Sequence, residues 1–316
     1  MEYAHTPVLL EESLNLLNPR GKNEWMVDAN TGEGGHSFNF LSRFPDLKII
    51  CIDADRDILA VAENRLKQFE RRVHFYYGWS HEFFADYPSE LKRPNTILMD
   101  LGVSLFHYRE SGRGFSFEKD EYLDMRIDKT AGLTAADLLA RLPERELADL
   151  IYNNAQERYS RRIASKIARE RQKSPITTTT ALAALVEMAV PAYYRHGPIH
   201  SATRTFQALR IAVNGELSKL PAILEGALRV LEPGGRLGVI SFHSLEDRIV
   251  KNFFRSSNKN CTCKASEPIC RCEGRRSVNI LTKKGVAAGE EEIGRNPPSR
   301  SARLRVVEKV FDEDGQ

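Results

Sequence analysis

With 316 residues, 41% of them hydrophobic and 28% charged, the chain is long enough for about two domains that each bury a core without disulfide or metal staples. Forty-six Lys and Arg stand against 43 Asp and Glu, a formal charge of +3, so total charge announces no nucleic-acid partner and only its local distribution bears on one. The longest apolar stretch, ALAALVEMAV over 181–190, is far shorter than the ~20 residues a bilayer span requires. Glu11 and Glu12 interrupt an N-terminal segment with no basic start, which is unlike a secretory leader. The expectation is a cytoplasmic protein with no membrane partner; oligomeric state, a homodimer included, is left open.

The first hundred residues alternate short β-rich apolar runs with helical patterns. Strands are predicted at 24–29, 48–53, 73–77 and 95–100, with helices at 36–43 and 56–68 between them. That rhythm predicts a parallel sheet covered by helices. After Asp100 it stops. The next segment offers helix starts at Thr134, at Pro143-Glu144 and at Thr180, and almost no strands. Strand character returns after a helix ending at Leu231, with the turn Glu232-Pro233-Gly234-Gly235 and a strand at 236–242. Segments 278–282 and 302–310 are predicted to pair antiparallel. The fold class is therefore α/β with an inserted all-helical domain: residues 1–110 and 209–316 form the α/β domain and 111–208 the insert.

Strand one runs into Asp28-Ala-Asn-Thr-Gly32-Glu-Gly34-Gly35-His36-Ser37, and a helix is expected at once. Glycines let backbone pass close to a ligand, and a helix N-terminus offers unpaired N–H groups. Nineteen residues after Gly34 stands Asp53, at the end of strand two, where a carboxylate can accept hydrogen bonds from both ribose hydroxyls of an adenosine. The details favour S-adenosylmethionine over NAD. A dinucleotide fingerprint wants a third glycine where Ser37 stands, and Asp28 suits the sulfonium and amino groups of a cofactor without a pyrophosphate. Asp100 ends strand four in ILMDLGVS and is expected to face the same crevice. Trp79, just after strand three, is placed to lie on an adenine.

Four of the five cysteines crowd into Cys261-Thr-Cys263 and Cys270-Arg-Cys272. Two close thiol pairs suggest zinc, but C-x-C is tighter than the usual spacing and labile disulfides are the competing reading, so no metal is assigned.

HTPVLLEE from His5, GEGGHS from Gly32, ILMDLGVS from Ile97, RGFSF from Arg113, LDMRID from Leu123, ATRTFQALRIAVNGEL from Ala202, ISFHSLEDRIVK from Ile240 and NPPSRSARLR from Asn296 follow one another along nearly the whole chain. In these motifs the sequence resembles the MraW family of bacterial 16S ribosomal RNA cytosine-N4 methyltransferases. The resemblance implies a Rossmann-like class I S-adenosylmethionine-dependent methyltransferase domain with an inserted helical RNA-recognition domain. It also implies methylation of the exocyclic N4 of a cytosine in the decoding region of 16S rRNA, within the small ribosomal subunit. Carried over by position, Gly34, Gly35, His36, Asp53, Trp79, Asp100 and His107 match the cofactor-binding positions. Three departures stand out: Trp79 replaces a more usual Phe or Tyr, His107 a more usual Gln, and Ala29-Asn30 a usual Gly-Thr.

A cytosine amine is a poor nucleophile because its lone pair is delocalised into the ring. Asp100, or a backbone carbonyl just after it, is the candidate acceptor that would favour the pyramidal amine, with proton loss following methyl transfer. His243, just beyond the strand at 236–242, is a second catalytic candidate; the alternative is a helix cap. Arg204, Gln207, Arg210 and Asn214 share a helical spacing suited to holding RNA or bridging domains. Arg158, Arg162, Lys166 and Arg169 fall on one helical arc beside an apolar arc of Tyr159, Ile163 and Ile167, with Glu157 and Glu170 as the nearby offsetting charges. Arg158, Arg162, Lys166, Arg169, Arg204 and Arg210 are therefore the RNA-binding candidates. Two other functions compete. A methyltransferase acting on protein or a small molecule predicts an insert without a basic face, and a non-catalytic ribosome-assembly factor is opposed by the intact glycine loop and Asp53.

Overall fold

The computed structural model describes residues 6–130, 132–260 and 276–310, so the cysteine pairs at 261–272 lie outside the described residues. The chain divides into two compact units, Met1–Gly102 with Lys219–Gln316, and Val103–Ser218.

The first unit holds a seven-stranded sheet: β1 (Trp25–Asp28), β2 (Lys48–Asp53), β3 (Val73–Tyr77), β4 (Thr96–Asp100), β5 (Arg236–Ser241), β6 (Val278–Ile280) and β7 (Arg303–Lys309), in the order β3-β2-β1-β4-β5-β7-β6. β1 to β5 are mutually parallel, whereas β7 runs antiparallel to β5 and to β6, the pairing expected of the C-terminal segments. Strands covered on both faces read as unbroken apolar runs, which is why KIICID and TILMD carry so few polar residues. Alternate side chains enter two cores. Val27, Ile50, Ile52, Ile97, Met99 and Val239 pack with Phe84 and Leu224 on one face. Met26, Ile49, Cys51, Leu98 and Ile240 pack with Leu9, Leu17 and Phe40 on the other. After β3 the chain returns to the far side of β1, so β1 and β4 are neighbours whose connections leave in opposite directions. Their carboxyl ends form the crevice in which open α/β sheets bind ligands.

The second unit is helical, with Ala135–Arg141, Glu144–Ala155, Ser160–Glu170, Thr179–Ala189 and Thr203–Asn214 as its larger helices. It is wider than the expected 111–208 at both ends. His107 packs its ring 5.2 Å from that of Phe115, and Arg210 donates to the Tyr108 hydroxyl at 2.9 Å, which holds the preceding residues in this unit. Asn214 accepts from Ile127 N and donates to Met125 O, both at 2.8 Å, which holds the following ones. Thr134 caps its helix as predicted, accepting from Asp137 N at 3.1 Å. The helix expected to start at Thr180 begins at Thr179 with Thr178 as its N-cap, and the Thr180 hydroxyl is bonded to Asp120 of the preceding loop.

Candidate active site

The loop after β1 is stitched across the sheet end. Ala29 N donates to Leu98 O and Thr31 N to Ile52 O, and the turn closes with Gly34 N on Thr31 O, each at 2.9 Å. Gly34 starts the helix Gly35–Arg43 from a left-handed φ of 75°, and a Cβ there would stand 3.3 Å from both Ala62 Cβ and Leu66 Cδ1. A Cβ on Gly35 would collide with Pro7 Cγ at 2.7 Å. No side chain caps this helix, so its first N–H groups face whatever occupies the crevice.

Asp53, at the end of β2, has both carboxylate oxygens oriented by backbone: Oδ2 accepts from Gly32 N and Oδ1 from Asp55 N, each at 2.9 Å. A carboxylate oxygen can accept more than one hydrogen bond, so this orientation leaves capacity for the two hydroxyls of a ribose.

Between these strands lies a group of buried polar atoms that the protein does not satisfy. Asp28, at the end of β1, is 1% exposed; Ser37 Oγ donates to its Oδ2 at 2.6 Å, while Oδ1 has no hydrogen-bond partner. Burial pushes its carboxyl up to about 6, opposed by the Ser37 hydrogen bond and the nearby His36. His36 is also buried, and neither ring nitrogen makes a hydrogen bond; Nε2 stands 3.6 Å from Asp100 Oδ2, too far for one. Asp100 Oδ1 and Asn30 Oδ1 are unsatisfied as well. Native proteins leave few buried polar atoms unpaired, and several on adjoining strand ends mark a ligand's place. Three carboxylates would repel a pyrophosphate but suit an ammonium, a sulfonium and ribose hydroxyls, so the residues present fit S-adenosylmethionine.

Trp79 is half-buried at the start of the helix Ser80–Ala85, and Lys219 Nζ lies 3.4 Å from its ring centroid. One face of the indole is therefore taken, which leaves the other for a stacking partner. Sequence reasoning missed Lys219, because nothing local links it to a tryptophan so distant in the chain. Asn30 was noticed only as a departure from the family's pattern.

His243 caps a helix through one ring nitrogen. Its Nδ1 accepts from Glu246 N at 3.4 Å at the start of the helix Ser244–Ser257, and its Nε2 faces Glu246 Oε1 at 3.2 Å. The Glu246 carboxylate in turn accepts from Phe242 N at 2.9 Å and His243 N at 3.3 Å. Nδ1 thus serves the cap, whereas Nε2, although 3.2 Å from Glu246 Oε1, is a buried atom with no hydrogen-bond partner, so the cap does not use up the ring. His107 belongs to the second unit, in the short helix Leu105–Arg109, buried beside Phe106 and Phe115.

The cationic candidates separate into two groups. Arg158, Arg162, Arg169 and Arg204 are exposed. Arg210 is not an outward cation: its Nε and Nη2 donate to Glu216 Oε1 and Oε2 at 2.8 and 2.7 Å, with the side chains only 11% and 13% exposed. Lys166 is held by Glu170 at 3.0 Å. The other expected offsetting charge, Glu157, is fully buried and bonded to Tyr159 N and the Tyr194 hydroxyl. The helix Ser160–Glu170 buries Ile163 and Ile167 of the apolar arc together with Ala164 and Ala168, whereas Arg158 and Tyr159 precede the helix and Tyr159, its N-cap, is only half-buried.

Residues 2–310 match the model of the MraW methylase family. The chain is 55% identical over 310 residues to the ribosomal RNA small subunit methyltransferase H of Treponema denticola, covering 98% of both proteins. The protein of the same name from Treponema pallidum is 41% identical, over 96% of this chain and 92% of that one, and the one from Syntrophus aciditrophicus 45%, over 97% and 98%. With its glycine loop, strand-end aspartates and sheet order in the places described, the chain belongs to the MraW methylase family.

Proposed function

We propose that the protein is an S-adenosylmethionine-dependent methyltransferase that methylates the exocyclic N4 of a cytosine in the decoding region of 16S rRNA, with the small ribosomal subunit in the cytoplasm as its substrate. The observation that carries this reading is the set of unsatisfied polar atoms on Asp28, His36 and Asp100 beside the oriented carboxylate of Asp53. The name of the relatives, ribosomal RNA small subunit methyltransferase H, supports ribosomal RNA of the small subunit as the substrate. Among the described residues no helix is long and apolar enough to cross a membrane.

Bound S-adenosylmethionine supplies an electrophilic methyl on a sulfonium, open to in-line attack by an amine nitrogen. Asp53 would hold the ribose, and Asp28 would offer its unpartnered Oδ1 to the positively charged end of the cofactor. Trp79 would flank the adenine with the ring face that Lys219 leaves open. Asp100, with Oδ1 uncommitted, accepts a hydrogen from the target amine or from the cofactor and fixes its direction. In-line approach of the amine nitrogen to about 3 to 3.5 Å from the methyl carbon would supply most of the rate, because little proton chemistry is needed before the transfer. A base held in RNA structure must first leave its stack, at a cost of a few kcal/mol.

The deciding experiment incubates the purified protein with methyl-labelled S-adenosylmethionine and small subunits, followed by mass spectrometry of the nucleosides. Labelled N4-methylcytidine is expected. Label on a different nucleoside, or on protein only, overturns the assignment.

A further inference from the structure

The start of the basic helix is not a plain row of solvated cations, because a second segment brings aromatic rings to it. The Arg158 guanidinium lies 4.9 Å from the ring centroid of Tyr159, 5.7 Å from that of Tyr193 and 4.8 Å from that of Tyr194. Arg162 stands 5.9 Å from the Tyr159 centroid. The cluster is tied from beneath. Tyr194 donates to Glu157 Oε2 at 2.6 Å, Tyr159 N donates to Glu157 Oε1 at 2.8 Å, and the Tyr159 and Tyr193 hydroxyls bond to each other. Burial and Glu157 hold the Tyr194 phenol up to about 12, so it remains a donor at neutral pH. Glu157 is fully buried and serves as the base of the cluster, while Tyr193 is 67% exposed and Arg158 and Arg162 face solvent. Between 188 and 215 the chain has no acidic residue, and the exposed Arg204 lies near enough to Tyr194 to act on its phenol electrostatically.

We infer that Tyr193 with Arg158, Arg162 and Arg204 forms a docking platform for single-stranded RNA, one unpaired base stacking on Tyr193 and the flanking phosphates meeting the guanidinium groups. Three chemical features select this occupant. Exposed guanidinium groups beside a carboxylate, Glu157, that is buried and bonded to Tyr159 N and the Tyr194 hydroxyl attract a polyanion, and an exposed ring offers a stacking face that an acidic peptide would leave unused. A base inside an A-form duplex has no free face to give that ring, so the strand must be open. The tyrosines also hold Arg158 in place before binding, which lowers the entropy lost when a phosphate arrives. The inference rests on the RNA reading above and adds to it the form of RNA recognised and the residues that take it.

The test titrates the full-length protein with a fluorescein-labelled single-stranded 12-mer of mixed sequence and with a duplex of the same length, at several salt concentrations. Tyr193→Ala is expected to weaken the single strand roughly 5- to 100-fold and the duplex little, while Tyr193→Phe, which keeps the ring, stays near wild type. Arg158→Ala should flatten the salt dependence of single-strand binding by about one phosphate contact. Equal affinity of Tyr193→Ala and wild type overturns the platform, as does an equal loss on both probes. Weakened binding to whole small subunits with oligonucleotide affinity unchanged also overturns it and points to a ribosomal protein as partner. Methyl transfer by the wild type to small-subunit RNA, measured in parallel, separates the two readings: its absence removes the proposed reaction, whereas the oligonucleotide titration alone decides the platform.

Discussion

Ser37 Oγ donates to Asp28 Oδ2 at 2.6 Å while Asp28 Oδ1 has no hydrogen-bond partner, so the protein satisfies half of a buried carboxylate and leaves the other half to a ligand. The folded-state value near 6 lies above the ordinary 3.8, so protonation of Asp28 favours the ligand-free fold. That contribution is complete below the ordinary carboxylate range and is lost as pH rises through about 6. Asp28→Asn should therefore stabilise the ligand-free protein at pH 8 by on the order of 1 to 3 kcal/mol and weaken S-adenosylmethionine binding about tenfold or more. Thermal melts and calorimetry on the same variant check both; a lower melting temperature with unchanged affinity would contradict the assignment.

Wild-type affinity for S-adenosylmethionine should fall as pH drops below about 6, since the proton that neutralises Asp28 competes with the cationic end of the cofactor. The Asp28→Asn variant should lose that dependence. Calorimetry across pH 5 to 8 tests the pair, and the same slope in both proteins would assign the titration to a different group.

Asp53→Ala removes an acceptor already aligned by Gly32 N and Asp55 N. Binding of S-adenosylmethionine should weaken by about 1.5 to 3 kcal/mol, the worth of a charged hydrogen-bond partner. A folded variant with wild-type affinity excludes Asp53 from the ribose site.

For Asp100→Ala, single-turnover rates at saturating cofactor and RNA should drop on the order of 100-fold if the carboxylate positions the amine. If the carboxylate serves only the cofactor, raising cofactor concentration restores the rate. A wild-type rate under both conditions leaves Asp100 no part in the chemistry.

His243→Ala should cost about 0.5 to 2 kcal/mol of stability through the lost helix cap, with most of that recovered in His243→Asn. If His243 serves only the cap, turnover per folded molecule should not change. Impaired turnover at unchanged stability would return His243 to the catalytic residues. Arg210→Ala should behave likewise on the other unit, destabilising by roughly 2 to 4 kcal/mol because Glu216 loses its largely buried partner, and leaving the salt slope of RNA binding intact. Arg204→Ala should flatten that slope and spare stability.

The repeated pattern of apolar strand, acidic end and helix was legible along the chain because parallel strands covered on both faces can tolerate few polar residues before their ends. Lys48–Asp53 and Val73–Tyr77 appear in the structure with the bounds read from composition and turn signals. Asp28, Asp53 and Asp100 were legible for the same reason, and the motif order gave the family. What a given polar side chain does with its hydrogen bonds was not legible. His243 Nδ1 caps a helix, and Arg210 is paired with Glu216. Arg158 lies among rings supplied from beyond the next helix, and Lys219 covers a tryptophan in a distant segment. Each of these depends on which atoms tertiary packing brings within about 3 to 6 Å, a separation that local periodicity does not encode. The sequence alone therefore determined the fold class and the strand ends where the chemistry gathers, while only the tertiary structure decided which charges are spent within the protein and which remain for a ligand.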